Sequence, residues 1–97
     1  MTYIELLAEE IRKRVPTELV PEGDTRALFL IYAALGLAKG QAVRRRDVHN
    51  AWAAWMAATN PSHESIRPFD QLDPETKTED DAFVIAIRSA LAGVPPS

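Results

Sequence analysis

Two histidines, a run of three acids and a run of three arginines are the residues of this chain whose types could carry chemistry. His49 and His63 stand far apart and lack the spacing of a metal-binding pair. Ser62 and Ser65 flank His63, but a nucleophile also needs an orienting third group and an oxyanion site. Packing or capping accounts for both histidines more simply. Glu79, Asp80 and Asp81 are consecutive, and neighbouring residues on a helix point about 100° apart, so they do not converge on one hard cation. They read as a solvated helix face, with Asp80 within reach of a helix end or a basic partner. Gly36 and Gly40 follow no strand and form no phosphate-binding loop. The chain has no cysteine, which excludes disulfides and thiolate metal sites. The expectation is a non-enzymatic protein without cofactor or metal.

Lys39 with Arg44, Arg45 and Arg46 forms the one basic cluster. A short turn followed by a basic helix is a feature of helix-turn-helix DNA readers. Against that, Asp47 follows at once and the next helix spends its large residues on an apolar stripe. Three arginines opening a helix oppose its dipole, which hints at an anionic contact. Trp52 and Trp55 are three apart and share a helix face. Trp52 and Phe83 sit centrally on apolar faces and are expected to be buried near one another. Trp55 is either core or a partly exposed anchor for a partner.

Four helices must position these residues. Thr2 and Glu5 make a capping box for the first, with Ile4, Leu7, Ala8, Ile11 and Val15 on its apolar face and Pro16 closing it. After a polar connection over residues 16–24, Asp24 or Thr25 caps a second helix carrying Leu28, Tyr32, Leu35 and Ala38, which Gly40 ends. The third runs from about residue 44 to 59, with Val48, Ala51, Trp52, Trp55 and Met56 on one stripe. Asp73-Pro74-Glu75 is a strong helix start, and Phe83, Val84, Ile87 and Leu91 face inward from the last helix, which reaches about Ala92. Residues 62–72 lack periodicity yet hold Ile66, Pro68, Phe69 and Leu72, so they are expected to be ordered, with Arg67 pointing outward. The fold class is all-α: a compact four-helix domain over residues 1–97, with an ordered irregular segment between helices 3 and 4 and a short flexible tail at 93–97.

The 97 residues bound what such a domain can do. One modest core fits, with little room for an enclosed active site. Net charge is -3. Through Asn60 there are 8 basic and 7 acidic residues, and from Pro61 onward 3 and 7. That acidic balance argues against general nucleic-acid affinity. No apolar run approaches the ~20 residues that cross a bilayer, and acid stands where a signal peptide would be basic, so a cytoplasmic protein is expected.

The second half resembles the ryanodine receptor repeat. Val48-His49-Asn50-Ala51-Trp52-Ala53 is similar to that family's helix with a His-x-x-Trp core. The stretch from His63 to Leu72, with Ile66-Arg67-Pro68-Phe69 at its centre and Lys77 and Asp80 beyond, is similar to its His-Pro-x-Leu-x-Pro-Tyr-x-x-Leu segment and following helix. The likeness covers about residues 47–90. Glu64 replaces the proline and Phe69 the tyrosine, and only residues 57–62 stand where relatives carry a longer basic loop. The whole chain looks like small uncharacterised proteins of actinobacteria and their bacteriophages. The resemblance implies a helical, non-catalytic module that contacts another protein, or a regulatory or phage accessory protein. It also implies an alternative, a sensor of a nucleotide-type ligand using Arg67, His63 and Trp55. A third reading, a small DNA-binding regulator, would use Arg44, Arg45 and Arg46. Oligomeric state is left open.

Overall fold

Local signals set the helix boundaries in the computed structural model, which describes residues 2–94. Among these residues the order is α1 (Tyr3–Arg14), α2 (Arg26–Lys39), α3 (Arg45–Thr59) and α4 (Pro74–Gly93), joined by single 3-10 turns at Thr17–Leu19, Gly40–Ala42 and Phe69–Gln71. Thr2 Oγ1 accepts from the Glu5 amide and Glu5 Oε1 accepts from the Thr2 amide, each at 3.2 Å, which closes the capping box. Val15, held extended before Pro16, stops α1. Thr25 occupies the N-cap of α2 without a side-chain cap bond; instead Asp24 Oδ1 accepts from the Arg26 amide at 3.0 Å. Gly40, at φ 57°, turns the chain out of α2. Asp73 Oδ1 accepts from the Thr76 amide at 2.7 Å, with Pro74 at the first helical position of α4.

Asp47 starts α3. Its Oδ2 accepts from the Arg44 amide at 3.0 Å and its Oδ1 from Lys39 Nζ at 2.9 Å. The acid beside the arginine run therefore offsets the unfavourable charge that the run brings to a helix N-terminus.

The four helices close on one core. Leu7 and Ile11 of α1, Leu28, Phe29 and Tyr32 of α2, Val48 of α3, and Ala86 and Ile87 of α4 belong to one buried cluster, which also takes in Val43. Each large aliphatic side chain fully removed from water contributes about 1.5–3 kcal/mol. α1 packs on α2 and α4, and α3 packs on α2 and α4. Gly36 sets the α2–α4 approach: a Cβ there would meet Ile87 at 3.0 Å and Leu91 at 3.3 Å. The radius of gyration, 12.8 Å, matches the ~12.5 Å of a folded chain this long. At the C-terminus α4 runs through Gly93, which is exposed, and Val94 is buried, so the tail expected from residue 93 starts with one helical and one buried residue. Its remaining residues, 95–97, lie outside the described ones.

The connection from Asn60 to Asp73 is ordered by turns. The amides of His63, Ile66, Gln71 and Leu72 donate to the carbonyls of Asn60, His63, Pro68 and Phe69. Leu72 is buried, whereas Ile66 and Phe69 are half-buried and Pro68 is exposed. Phe69 is held less by burial than expected and more by charge: Arg46 and Lys77 stand 5.2 and 5.3 Å from its ring centroid.

Candidate functional site

His49 is the residue on which the irregular connection hangs. It is 3% exposed, and its Nε2–H donates to the Arg67 carbonyl at 2.6 Å. A carbonyl only accepts, so the contact fixes the proton on Nε2. The His49 ring stacks on Trp52 at 5.8 Å and lies 6.2 Å from Phe69. Trp52 in turn meets the edge of His63 at 5.1 Å, with the rings 83° apart. His63 Nδ1 accepts from the Ser65 amide at 3.1 Å. A line of rings thus runs from the buried side of α3 to the surface of the connection.

That line forms one wall of a cleft of about 220 Å³. Tyr32 and Phe83 line its inner end, their ring centroids 5.5 Å apart. Leu19 and Pro21 come from the α1–α2 connection, and Thr76, Glu79 and Asp80 from α4. Phe83 is buried in the core as expected, whereas Trp52 is half-buried and packs against that core, and both line the cleft.

Asp80 is the electrostatic centre of the cleft. Burial, then the neighbouring charges of Glu79 and Asp81, push its carboxyl up to about 7, with Arg45 acting in the opposite sense. Tyr32 is raised well above the ordinary phenol range, first by burial and then by Asp80. The acidic run is therefore split by the helix. Asp81 pairs with Arg45, whose Nη2 donates to Oδ2 at 2.7 Å, while Asp80 turns into the cleft and Glu79 lines it.

The arginine run is distributed in the same way. Arg44 opens α3, Arg45 pairs with Asp81, and Arg46 Nη2 donates to Asp70 at 2.8 Å while stacking over Phe69. That Arg46 bond holds the Asp70 carboxyl below the usual range. These pairs are exposed and contribute little stability, but they tie two of the three guanidinium groups to carboxylates. Of the residues set together at the sequence level, His63 lines the cleft. Arg67 is exposed and folds back to donate from Nε to the Glu64 carbonyl at 2.8 Å. Trp55 packs half-buried against the core. Reading the sequence missed Trp52, Tyr32, Thr76 and Asp80 as cleft residues. A signal for one of them was present: Asp80 precedes Phe83, Val84 and Ile87 by three, four and seven residues, which puts an acid on the apolar stripe of α4.

A second, larger groove of about 620 Å³ lies between α1 and the start of α2. Glu5, Glu9, Arg12, Asp24 and Arg26 line it, and Arg26 pairs with Glu5 at 3.3 Å. It carries charges of both signs, whereas the lining of the cleft holds carboxylates and histidines but no lysine or arginine. Among the described residues no three histidine or carboxylate side chains form a metal-binding group, and no helix is long and apolar enough to cross a membrane.

The profile of a family described as Domain of unknown function (DUF7701) matches residues 2–92 of the chain. No curated protein and no solved structure gives a significant match.

Proposed function

The chain belongs to the DUF7701 family, and we propose that it is a non-enzymatic interaction or regulatory module whose contact surface is the cleft between α3, α4 and the connection joining them. The observation that carries this reading is the cleft itself. Half-buried Trp52 and His63 stand there beside Glu79 and Asp80, which form no salt bridge among the described residues. Tryptophan in a partly open hollow is a favoured anchor for a partner. The histidines support a non-catalytic role, since His49 is engaged by the Arg67 carbonyl and His63 Nδ1 by the Ser65 amide. The resemblance of residues 47–90 to the ryanodine receptor repeat supports the same reading, because those repeats serve as protein-contacting units. A cytoplasmic adaptor, or an accessory protein of a phage or mobile element, is the setting that fits.

Two charge reversals test the proposal. Glu79 lines the cleft and Arg67 is exposed on the connection between α3 and α4, so Glu79→Lys and Arg67→Glu alter the surface without touching the core. Exposed substitutions usually change stability by about 0.5 kcal/mol or less, equivalent to ~2–4 °C in a domain of this size. In affinity purification from cells producing the protein, the wild type is expected to retain a stoichiometric protein partner. Both variants should lose it while melting near the wild-type temperature. Retention of duplex DNA in place of protein, abolished by neutralising Arg44, Arg45 and Arg46, would contradict the proposal.

A further inference from the structure

The lining of the cleft states the charge of what it accepts. No lysine or arginine contributes to it, while Glu79 and Asp80 do. Of the cations around it, Arg45 is committed to Asp81, Arg46 to Asp70 and Lys77 to the ring of Phe69, while Arg67 lies outside the lining and donates from Nε to the Glu64 carbonyl. A phosphate or nucleotide entering here would face two carboxyl groups and no counter-charge from the lining.

Two further observations make the hollow more than an acidic patch. Tyr32 is 1% exposed and lines the cleft, and no protein group among the described residues hydrogen-bonds its hydroxyl, which is not among the polar atoms sealed from water. Facing the cleft without a protein partner, that oxygen is free to accept from a ligand N–H. The walls are also aromatic, with Trp52, Tyr32 and Phe83 presenting rings to the space. Aromatic faces attract cations and do nothing comparable for anions. At about 220 Å³ the space lies below the roughly 300–1,000 Å³ of drug-sized ligand sites, so it takes a single charged group of a few heavy atoms.

We propose that the cleft bounded by Trp52, Tyr32, His63 and Asp80 binds an organic cation, the ammonium or guanidinium group of a partner's lysine or arginine side chain or of a small free amine. The carboxylate of Asp80 accepts from the N–H donors, the Tyr32 oxygen accepts a further one, and the Trp52 ring covers the charge. This deepens the interaction-module reading and rests on it. Binding also depends on pH. The groups facing Asp80 are Tyr32 from α2, Arg45 and His49 from α3, His63 from the connection, and Glu79 and Asp81 from α4. With burial and two acids opposing its ionisation, Asp80 ionises near neutrality, so the cation gains its counter-charge as pH rises through about 7.

Amide and indole N–H correlation spectra of the full chain provide the test, with methylguanidinium, methylammonium, an arginine-containing peptide, inorganic phosphate and AMP as probes at matched ionic strength. A single charged group in a small cleft supports dissociation constants of about 1 mM, so titration to ~20 mM reaches saturation. Saturable shifts from the cations are expected at the Trp52 indole and at the amides of His63, Thr76 and Asp80. Affinity should be several-fold higher at about pH 8 than at about pH 6, and roughly tenfold lower in Asp80→Asn. Asp80→Asn removes a partly buried charge that forms no salt bridge among the described residues, so the variant folds. Equal saturation by methylguanidinium and the peptide assigns the site to free amines; saturation by the peptide alone assigns it to a partner's side chain. The proposal is overturned if no cation saturates, if phosphate or AMP gives the cleft shifts instead, or if Asp80→Asn binds as the wild type does. Should the cations fail while Glu79→Lys still releases a captured protein partner, the module reading stands and the cation is the part that falls.

Discussion

Asp80 occupies a position that α4 would ordinarily fill with an apolar side chain, one turn before Phe83 and Val84. Its carboxyl ionises near 7 in the folded protein against an ordinary value of 3.8. Between those values the folded state holds a proton that the unfolded chain has released. Stability therefore falls as pH rises from about 4 to about 7, and the penalty is full above that. Glu5, Glu10, Asp47, Asp70 and Asp73 all lie below their ordinary values and lose their contributions only at more acid pH, so the two windows separate. Asp80→Asn should stabilise the protein at about pH 8 by ~1–3 kcal/mol, allowing for the part of the carboxyl that water still reaches, and by almost nothing at about pH 4. Denaturant titrations of both proteins at the two pH values measure this directly. An equal difference at both would show that Asp80 carries no strain of ionisation. A residue kept at such a cost to the fold is the kind found at functional sites.

At the scale of elements, the connection between α3 and α4 behaves as a structural unit tied to α3 through His49. Replacing His49 with phenylalanine keeps a ring against Trp52 and Phe69 but strands the Arg67 carbonyl. The cost should be about 1–3 kcal/mol, with amide exchange accelerated from His63 to Leu72 and little changed in α1. Acceleration spread evenly over the molecule would show that the connection is no separate unit. Much of this level was legible in the sequence. Thr2 with Glu5 and Asp73 with Pro74 announce helix starts because capping is a contact between residues three apart. The order of residues 62–72 was legible from Ile66, Pro68, Phe69 and Leu72. What held Phe69 was not, because Arg46 and Lys77 reach its ring from two different helices. The cleft was illegible for the same reason. Tyr32, Trp52, His63 and Asp80 come from four separate segments; the apolar stripes mark Tyr32 and Trp52 as inward-facing, and the register with Phe83 and Ile87 does so for Asp80, but nothing local brings the four together.

Across the whole molecule, charge is sorted by location. Arg45 and Arg46 of α3 are matched by Asp81 and Asp70, and Arg26 at the larger groove by Glu5, while the cleft keeps Glu79 and Asp80 against aromatic rings. All four helices supply the core, and the two hollows divide the surface, the larger groove on the α1–α2 side and the acidic cleft on the α3–α4 side. Hydrogen exchange on the chain in its affinity-purified complex, compared with the chain alone, tests that division most directly. Protection is expected at the amides of His63, Ser65, Arg67 and Thr76 to Asp80, with those of Glu9, Arg12 and Arg26 unchanged. Protection confined to the groove between α1 and α2, with the cleft exchanging as in the free protein, would contradict the account.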